Sequence, residues 1–324
     1  MPPEPGAVAD APVVAITGAT GFIGRHLVRA LAAAGWQVRI LIRRDPAGMD
    51  WRDLQIQAVT GDLRDAGARR QLLAGAQAVV HLAGLIKAPD AQAFMAINRD
   101  ATRALAQSIR DHAPEATTFC ISSLAAREPA LSAYARSKRA GEDALRQILG
   151  TRADILRPAA VYGPGDRETL IFFQLARLAR VPLLGNERAR ISVIQVEDLC
   201  AAIVSALRNG PSGAVRTVCD RRPDGYTWRE LMQAAAAAVG RSDARFFRVP
   251  GAVLRSLAWI GDAGHQFGGH NMLGSEKLRE LRFEDWSVPP DQQFNAPQWV
   301  PRFDLPSGFA HAAAWYRESG WLAI

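Results

Sequence analysis

The chain has 324 residues, 48% of them hydrophobic and 22% charged, with a formal net charge of +7. That make-up suits a soluble globular protein of one large or two moderate domains. Its arginines are scattered among acids, as in "RRDPAGMDWRD" and "RDAGARR", without stacking aromatics, which argues against a nucleic-acid face. Cys120, Cys200 and Cys219 form no CxxC pair, so a disulfide framework or zinc site is not expected and a reduced cytoplasm fits best.

In chain order, residues 1–11 read as a loose tail without the basic start and apolar stretch of a signal peptide. The strand-like "VVAITG" is followed by an amphipathic helical stretch from Phe22 to Ala34, then by "WQVRILIRR", "IQAVTGDL", the helical "DAGARRQLLAG" and "QAVVHLAG". A helix over Phe94 to Ala113 leads to "TTFCISS", a helix over Tyr134 to Leu149 and "ADILRPAAVYG". Apolar strands alternating with helices predict an α/β fold, a doubly wound parallel sheet of Rossmann type over residues 12–165. Residues 166–324 are expected to form a smaller, mostly helical substrate lobe, with about 191–220 returning to the sheet and "AAAAA" at 234–238 marking tight helix packing. No apolar run approaches the roughly 18 residues of a membrane span, so no integral membrane segment is expected. "PGAVLRSLAWIG" reads as a helix of the substrate lobe, with a membrane-touching helix as the alternative.

The glycines of "TGATGFIG" have the spacing GxxGxxG between a strand and a helix. Gly18 permits the tight turn, Gly21 lets the backbone approach a pyrophosphate, and Gly24 allows close helix–strand packing. Thr20, Phe22 and Ile23 complete the loop, whose helix amino terminus offers free N–H groups and its dipole to phosphates. About 20 residues further on, an acid holds the ribose hydroxyl of NAD and an arginine accommodates the 2′-phosphate of NADP. Arg43 and Arg44 stand there and favour NADP(H), while Asp45 keeps NAD(H) open.

Tyr134 and Lys138 are four residues apart, so on a helix they share a face at about 5–6 Å between Cβ atoms. A neighbouring ammonium is expected to lower the tyrosine pKa. Ser122 and Ser123, at a strand's carboxyl end just upstream, offer hydroxyls to a substrate oxygen. Together these residues read as an active site.

With "GDLRD", "HLAG", "INRDATRAL", "YARSK", "LRPAAVYGPGD" and "VEDL" in the same order, the chain resembles the short-chain dehydrogenase/reductase superfamily in its extended, NAD-dependent epimerase/dehydratase branch. The resemblance implies that Tyr134 is the general acid/base, that Lys138 holds the nicotinamide ribose, and that Ser123 polarises a carbonyl, with Ser122 its competitor. It further implies that Asp62 and Leu63 flank the adenine, that Ala83 and Gly84 line the cofactor, and that Asn98 sits behind the active site. Arg157, Pro158 and Tyr162 would fall in a loop beside the nicotinamide. Asn98 as a helix cap and "HLAG" as core packing remain the structural alternatives.

Departures from the family pattern narrow the chemistry. Leu124 and Ala125 stand where related dehydratases carry an acidic pair, Gln195 replaces a frequent histidine, and the loop from Ser123 to Tyr134 is short. The leading expectation is hydride transfer between NADP(H) and a secondary alcohol or ketone, in a cytoplasmic protein with a small-molecule substrate, a homodimer remaining open. The alternatives are a UDP-sugar 4-epimerase with bound NAD, for which Arg188 and Arg190 would hold the diphosphate, and a non-catalytic NAD(P)-binding subunit. Phe172, Phe173, Leu183, Phe246, Phe247, Leu254 and Trp259 are candidates for an apolar pocket, with core packing as the plainer reading of most. Asp262, His265 and His270 lack convincing metal-ligand spacing and read as a glycine-rich loop.

Overall fold

A computed structural model describes residues 11–44, 49, 51–186, 188–266 and 274–322. Asp45, His270 and residues 1–10 of the expected tail lie outside the described residues. The chain opens with β1 (Val13–Thr17), α1 (Phe22–Ala33), β2 (Gln37–Ile42), β3 (Ile56–Thr60), α2 (Ala66–Leu73) and β4 (Ala78–His81). There follow α3 (Ala91–Met95), a π-helical turn (Ala96–Ala101), α4 (Thr102–His112), β5 (Thr117–Ile121), α5 (Ala133–Leu149) and β6 (Ala153–Pro158).

A seven-stranded parallel sheet runs in the order β11-β6-β5-β4-β1-β2-β3, where β11 is Val215–Val218. Its central strands are buried along almost their whole length because both faces are covered. One face packs Leu27, Val28 and Leu31 of α1 against Leu199, Ile203 and Leu207 of α7 (Val196–Asn209). The other packs Leu72 of α2, Leu105 and Ile109 of α4, and Leu145 of α5. Strand order reverses between β1 and β4, and their carboxyl ends open the crevice where open α/β sheets take their ligands.

The return of 191–220 to the sheet takes a different route from the expected one. The short β9 (Arg190–Ile191) and β10 (Val193–Gln195) stay outside it, β10 pairing instead with β7 (Ala160–Tyr162), and the strand that joins is β11, after α7.

The second core gathers α6 (Leu170–Ala176), β8 (Arg180–Leu183), α8 (Trp228–Ala238) and α11 (Leu305–Glu318). Phe173, Tyr162, Phe309 and Tyr316 pack there edge to face, and Ala235 and Ala236 of the alanine run meet α11 at Ala312 and Ala313. β12 (Arg245–Arg248) pairs with β8 and leads into α9 (Gly251–Gln266) and α10 (Ser275–Arg282). These two helices share a small core of Leu254, Ala258 and Leu278, and β13 (Asp285–Trp286) then pairs with β9.

Candidate active site

The glycines at the end of β1 do three different things. Gly18 has a φ of +77°, and a Cβ there would meet the Ala83 amide nitrogen at 2.6 Å, so this loop presses directly on the end of β4. A Cβ on Gly24 would come within 2.2 Å of the Gly18 carbonyl oxygen, which brings α1 against its own incoming turn. At Gly21 the fit is less severe, a Cβ there meeting that same oxygen at a tight 3.3 Å. Gly21 is the N-cap of α1 and makes no side-chain cap, and no acid occupies the first turn. The first-turn amides of Phe22, Ile23 and Gly24 therefore lack intrahelical acceptors, and the positive end of the helix faces the crevice beside the exposed Thr20.

Arg43 and Arg44 are exposed directly after β2. Asp62, after β3, accepts from the Arg64 amide at 2.9 Å and from its Nε at 2.8 Å. Those bonds hold its carboxyl below the usual range, with a further contribution from the Arg43 charge. Leu63 is buried, and its carbonyl accepts from Arg69 Nη1 at 2.5 Å.

At the end of β5 the two serines separate in role. Ser122 turns inward and donates to Glu142 Oε1 at 2.5 Å, whereas Ser123 lies on the Tyr134 side and acts to lower the pKa of its hydroxyl. Ser123 also caps the short helical turn Leu124–Arg127 by accepting from the Ala125 amide at 3.2 Å. Tyr134, in the first turn of α5, packs its ring 6.0 Å from that of Phe94. Burial pushes the Tyr134 hydroxyl up to about 12, Ser123 opposes the shift, and the Glu280 carboxylate adds to it. This is the reverse of the lowering expected from Lys138. The Lys138 Nζ instead donates to the Ile121 carbonyl at 3.1 Å, and its own pKa is lowered, chiefly by burial.

Behind these groups stands a device that sequence reasoning saw only as one asparagine. Asn98 lies in the π-helical turn; its Oδ1 accepts from the Leu85 amide at 2.7 Å, and its Nδ2 donates to the Leu85 carbonyl and to Ser137 Oγ. It thus clamps the loop after β4 to α5, rather than capping a helix. Gly141 makes the approach feasible, since a Cβ there would stand 2.2 Å from the Asn98 carbonyl oxygen. Gly84 lies over the pair, its notional Cβ 3.1 Å from Asn98 Oδ1 and 3.6 Å from Lys138 Nζ. His81 of "HLAG" is a core residue, bonded to Thr17 and Thr102 and driven down to about 3 by burial. π-Turns of this kind recur at functional sites.

Beneath the site, Arg157 donates to both Glu142 oxygens, at 2.9 and 2.5 Å, and both side chains are buried. Arg157 and Pro158 are therefore the last residues of β6 and not part of a loop, and Tyr162 lies in β7 inside the second core.

The profile of the NAD dependent epimerase/dehydratase family matches residues 14–219. The chain belongs to that family. It is 46% identical to the ceramide reductase of Caulobacter vibrioides over 313 residues, covering 96% of each chain. It is 28% identical to the mitochondrial NADH dehydrogenase 1 alpha subcomplex subunit 9 of Arabidopsis thaliana, over 76% of this chain and 62% of that one. The fold matches that of DesIV, a dTDP-glucose 4,6-dehydratase from Streptomyces venezuelae with NAD and TYD bound, with a TM-score of 0.69 at 23% identity over 95% and 98% of the two chains.

An exposed ion pair of Lys87 and Glu168 at 2.6 Å ties the loop after β4 to the loop before α6. Gln195 caps α7 through Glu197 and Asp198 and reaches His311 Nδ1 at 3.3 Å. The expected apolar pocket does not assemble. Phe173 and Leu183 belong to the second core, Phe172 stacks on Trp228, Phe246 packs against that core, and Leu254 joins α9 to α10. Phe247 and Trp259 are exposed. Arg188 lines a cavity of about 380 Å³ with Arg248 and Arg282, whereas Arg190 reaches only Glu230, at 4.0 Å. Asp262 and His265 fall within α9, and Asp262 accepts from Ser275.

Proposed function

We propose that this chain is an NAD(P)-dependent ketone reductase that takes NADP(H) in preference to NAD(H) and acts on a ceramide-type lipid. The observation that carries the reading is the convergence at the end of β5 of Ser123, of Tyr134 in the first turn of α5 and of the Lys138 ammonium, which donates to the Ile121 carbonyl at 3.1 Å. A tyrosine held at about 12 stays protonated at neutral pH, and its proton is available once negative charge develops on a carbonyl oxygen beside it. The identity of 46% over nearly the whole of both chains supports the lipid class. The absence of an acidic pair at Leu124 and Ala125 leaves water elimination without its acid and base.

The residues fit the dinucleotide. The exposed Gly21, which has no side chain to hold a phosphate off, and the free amides of α1 suit a pyrophosphate, and Arg43 and Arg44 suit a 2′-phosphate. Ala83, Gly84 and Pro158 line the nicotinamide side of the crevice in this reading, and Asp62 and Leu63 the adenine side. When bound, the reduced cofactor supplies a hydride to the carbonyl carbon. Tyr134 then transfers its hydroxyl proton to the carbonyl oxygen, Ser123 donates a hydrogen bond to the charge developing there, and the C=O becomes CH–OH. Lys138, one helical turn from Tyr134, orients the ribose. A soluble ketone bearing the polar head of a ceramide, followed by NADPH oxidation, tests this. Tyr134→Phe is expected to lower kcat by at least about 100-fold, and full turnover by that variant would refute the assignment.

A further inference from the structure

α9 is held by one narrow stripe. Leu254 and Ala258 are buried against α10, while Val253, Leu257, Trp259 and Ile260 are 47%, 49%, 72% and 57% exposed. At about 100° per residue, the arc from Leu257 through Val253 and Ile260 to Trp259 covers roughly 160° of the helix surface. It carries no charge, and up to Ile260 its other members are Ser256 and Ala252. Four large apolar side chains on one outward face exceed the scattered exposure of an ordinary surface.

The stretch leading into this face is rich in arginine, with Asp262 on the helix and Glu276 and Glu280 on α10 as the nearby acids. Residues 241–260 contain Arg241, Arg245, Arg248 and Arg255 against the single acid Asp243. Arg255 borders the apolar arc on the helix itself. At the amino end of α9, Arg188, Arg248 and Arg282 converge on the cavity of about 380 Å³, with Glu284 as its acidic member. Glu284 is engaged by Asn186 Nδ2 at 2.8 Å. An uncharged face with a tryptophan at its edge and arginines beside it matches the interface of an anionic lipid bilayer, where the apolar side chains enter the acyl boundary and the arginines meet phosphates. No helix among the described residues is long and apolar enough to cross a membrane, so the helix would lie in the surface plane.

We infer that α9 docks this chain on the surface of an anionic lipid membrane through Val253, Leu257, Trp259 and Ile260. The inference rests on the proposed lipid substrate and adds the means of reaching it. The docking helix is close to the chemistry: α9 packs on α10, and Glu276 and Glu280 of α10 accept from the Ala133 amide at 2.9 Å and from Ser132 Oγ at 2.5 Å, immediately before Tyr134.

Co-sedimentation of the full chain with vesicles tests this without turnover. Binding is expected to vesicles of phosphatidylcholine mixed with phosphatidylglycerol, to weaken on adding salt, and to be weak with phosphatidylcholine alone. The double variant Leu257→Ser/Ile260→Ser is expected to lose at least about tenfold in partitioning while keeping its melting temperature and its NADPH-dependent turnover of a water-soluble ketone. Failure of the wild type to pellet, or equal partitioning by the folded variant, overturns the inference. So does a fall from dimer to monomer in sedimentation velocity on introducing the variant, which would assign the face to a second copy. Vesicle binding with no reduction of a ceramide-type ketone would leave the docking surface standing and refute the proposed function instead.

Discussion

The ends of the sheet strands and the outer face of α9 handle mismatched material in opposite ways. At the strand ends, groups that are costly to bury are buried and fully partnered: Arg157 with Glu142, Ser122 with Glu142, His81 with two threonines, Asn98 with Leu85 and Ser137. On α9, groups that are costly to expose are exposed, and no described residue buries them. The first arrangement fixes positions, because a buried polar group that leaves its partner loses its solvation as well as its bond. The second fixes nothing inside the molecule, so its cost is met only by something outside it. Rigidity belongs to the chemistry and adhesion to the appendage.

The contrast breaks most sharply at Glu142. Glu142→Gln removes the charge facing Arg157 and leaves a buried guanidinium without its ion partner, for which a loss of about 3–5 kcal/mol is expected. Urea denaturation measures it, and a loss below about 1 kcal/mol would mean that the pair is as dispensable as a surface bridge.

How much of this was readable from sequence follows the same division. "TGATGFIG" and "YARSK" are local: the first encodes a strand, a turn and a helix within eight residues, and the second places two side chains on one helical face. A Cβ would clash at both Gly18 and Gly24, at Gly24 with the turn before α1 and not with a strand. The choice between Ser122 and Ser123 required the partner across the sheet, since both sit at the end of one strand and only Glu142 shows which is turned inward. The π-turn depends on Gly141, 43 positions after Asn98, admitting a backbone that no local pattern announces. The direction of the Tyr134 shift was misjudged because proximity on a helix speaks of Coulomb attraction and is silent on desolvation, which is the larger effect here. α9 shows the converse limit. Its apolar residues occupy almost the whole circumference, and the sequence cannot say which stripe a neighbour covers, so Leu254 and Trp259 looked equivalent.

A titration sharpens the comparison at a site that is buried but incompletely compensated. Asp220 accepts from the Tyr226 hydroxyl at 2.7 Å and from the Arg222 amide, yet burial still pushes its carboxyl up to about 6. A folded pKa above the unfolded value means that the folded state holds the proton more tightly. Its contribution to stability is therefore complete below about pH 4 and is lost as pH rises through 6. The stability difference between wild type and Asp220→Asn is expected to move against the wild type by about 2 kcal/mol between pH 4 and pH 7. A pH-independent difference would place Asp220 among the fully compensated groups at the strand ends.

The smallest effect is expected where the exposed area is largest, and it separates the two regions most cleanly. Ile260 makes no contribution to the α9–α10 core of Leu254, Ala258 and Leu278, and more than half of it already faces water in the folded chain. Replacing it removes apolar surface from both the folded and the unfolded state, so the transfer free energy nearly cancels. Ile260→Ser should change stability by less than about 0.5 kcal/mol. A loss of 2 kcal/mol or more would show that the residue is packed in solution, and the outer face of α9 would then belong with the strand ends, among surfaces the chain buries against itself.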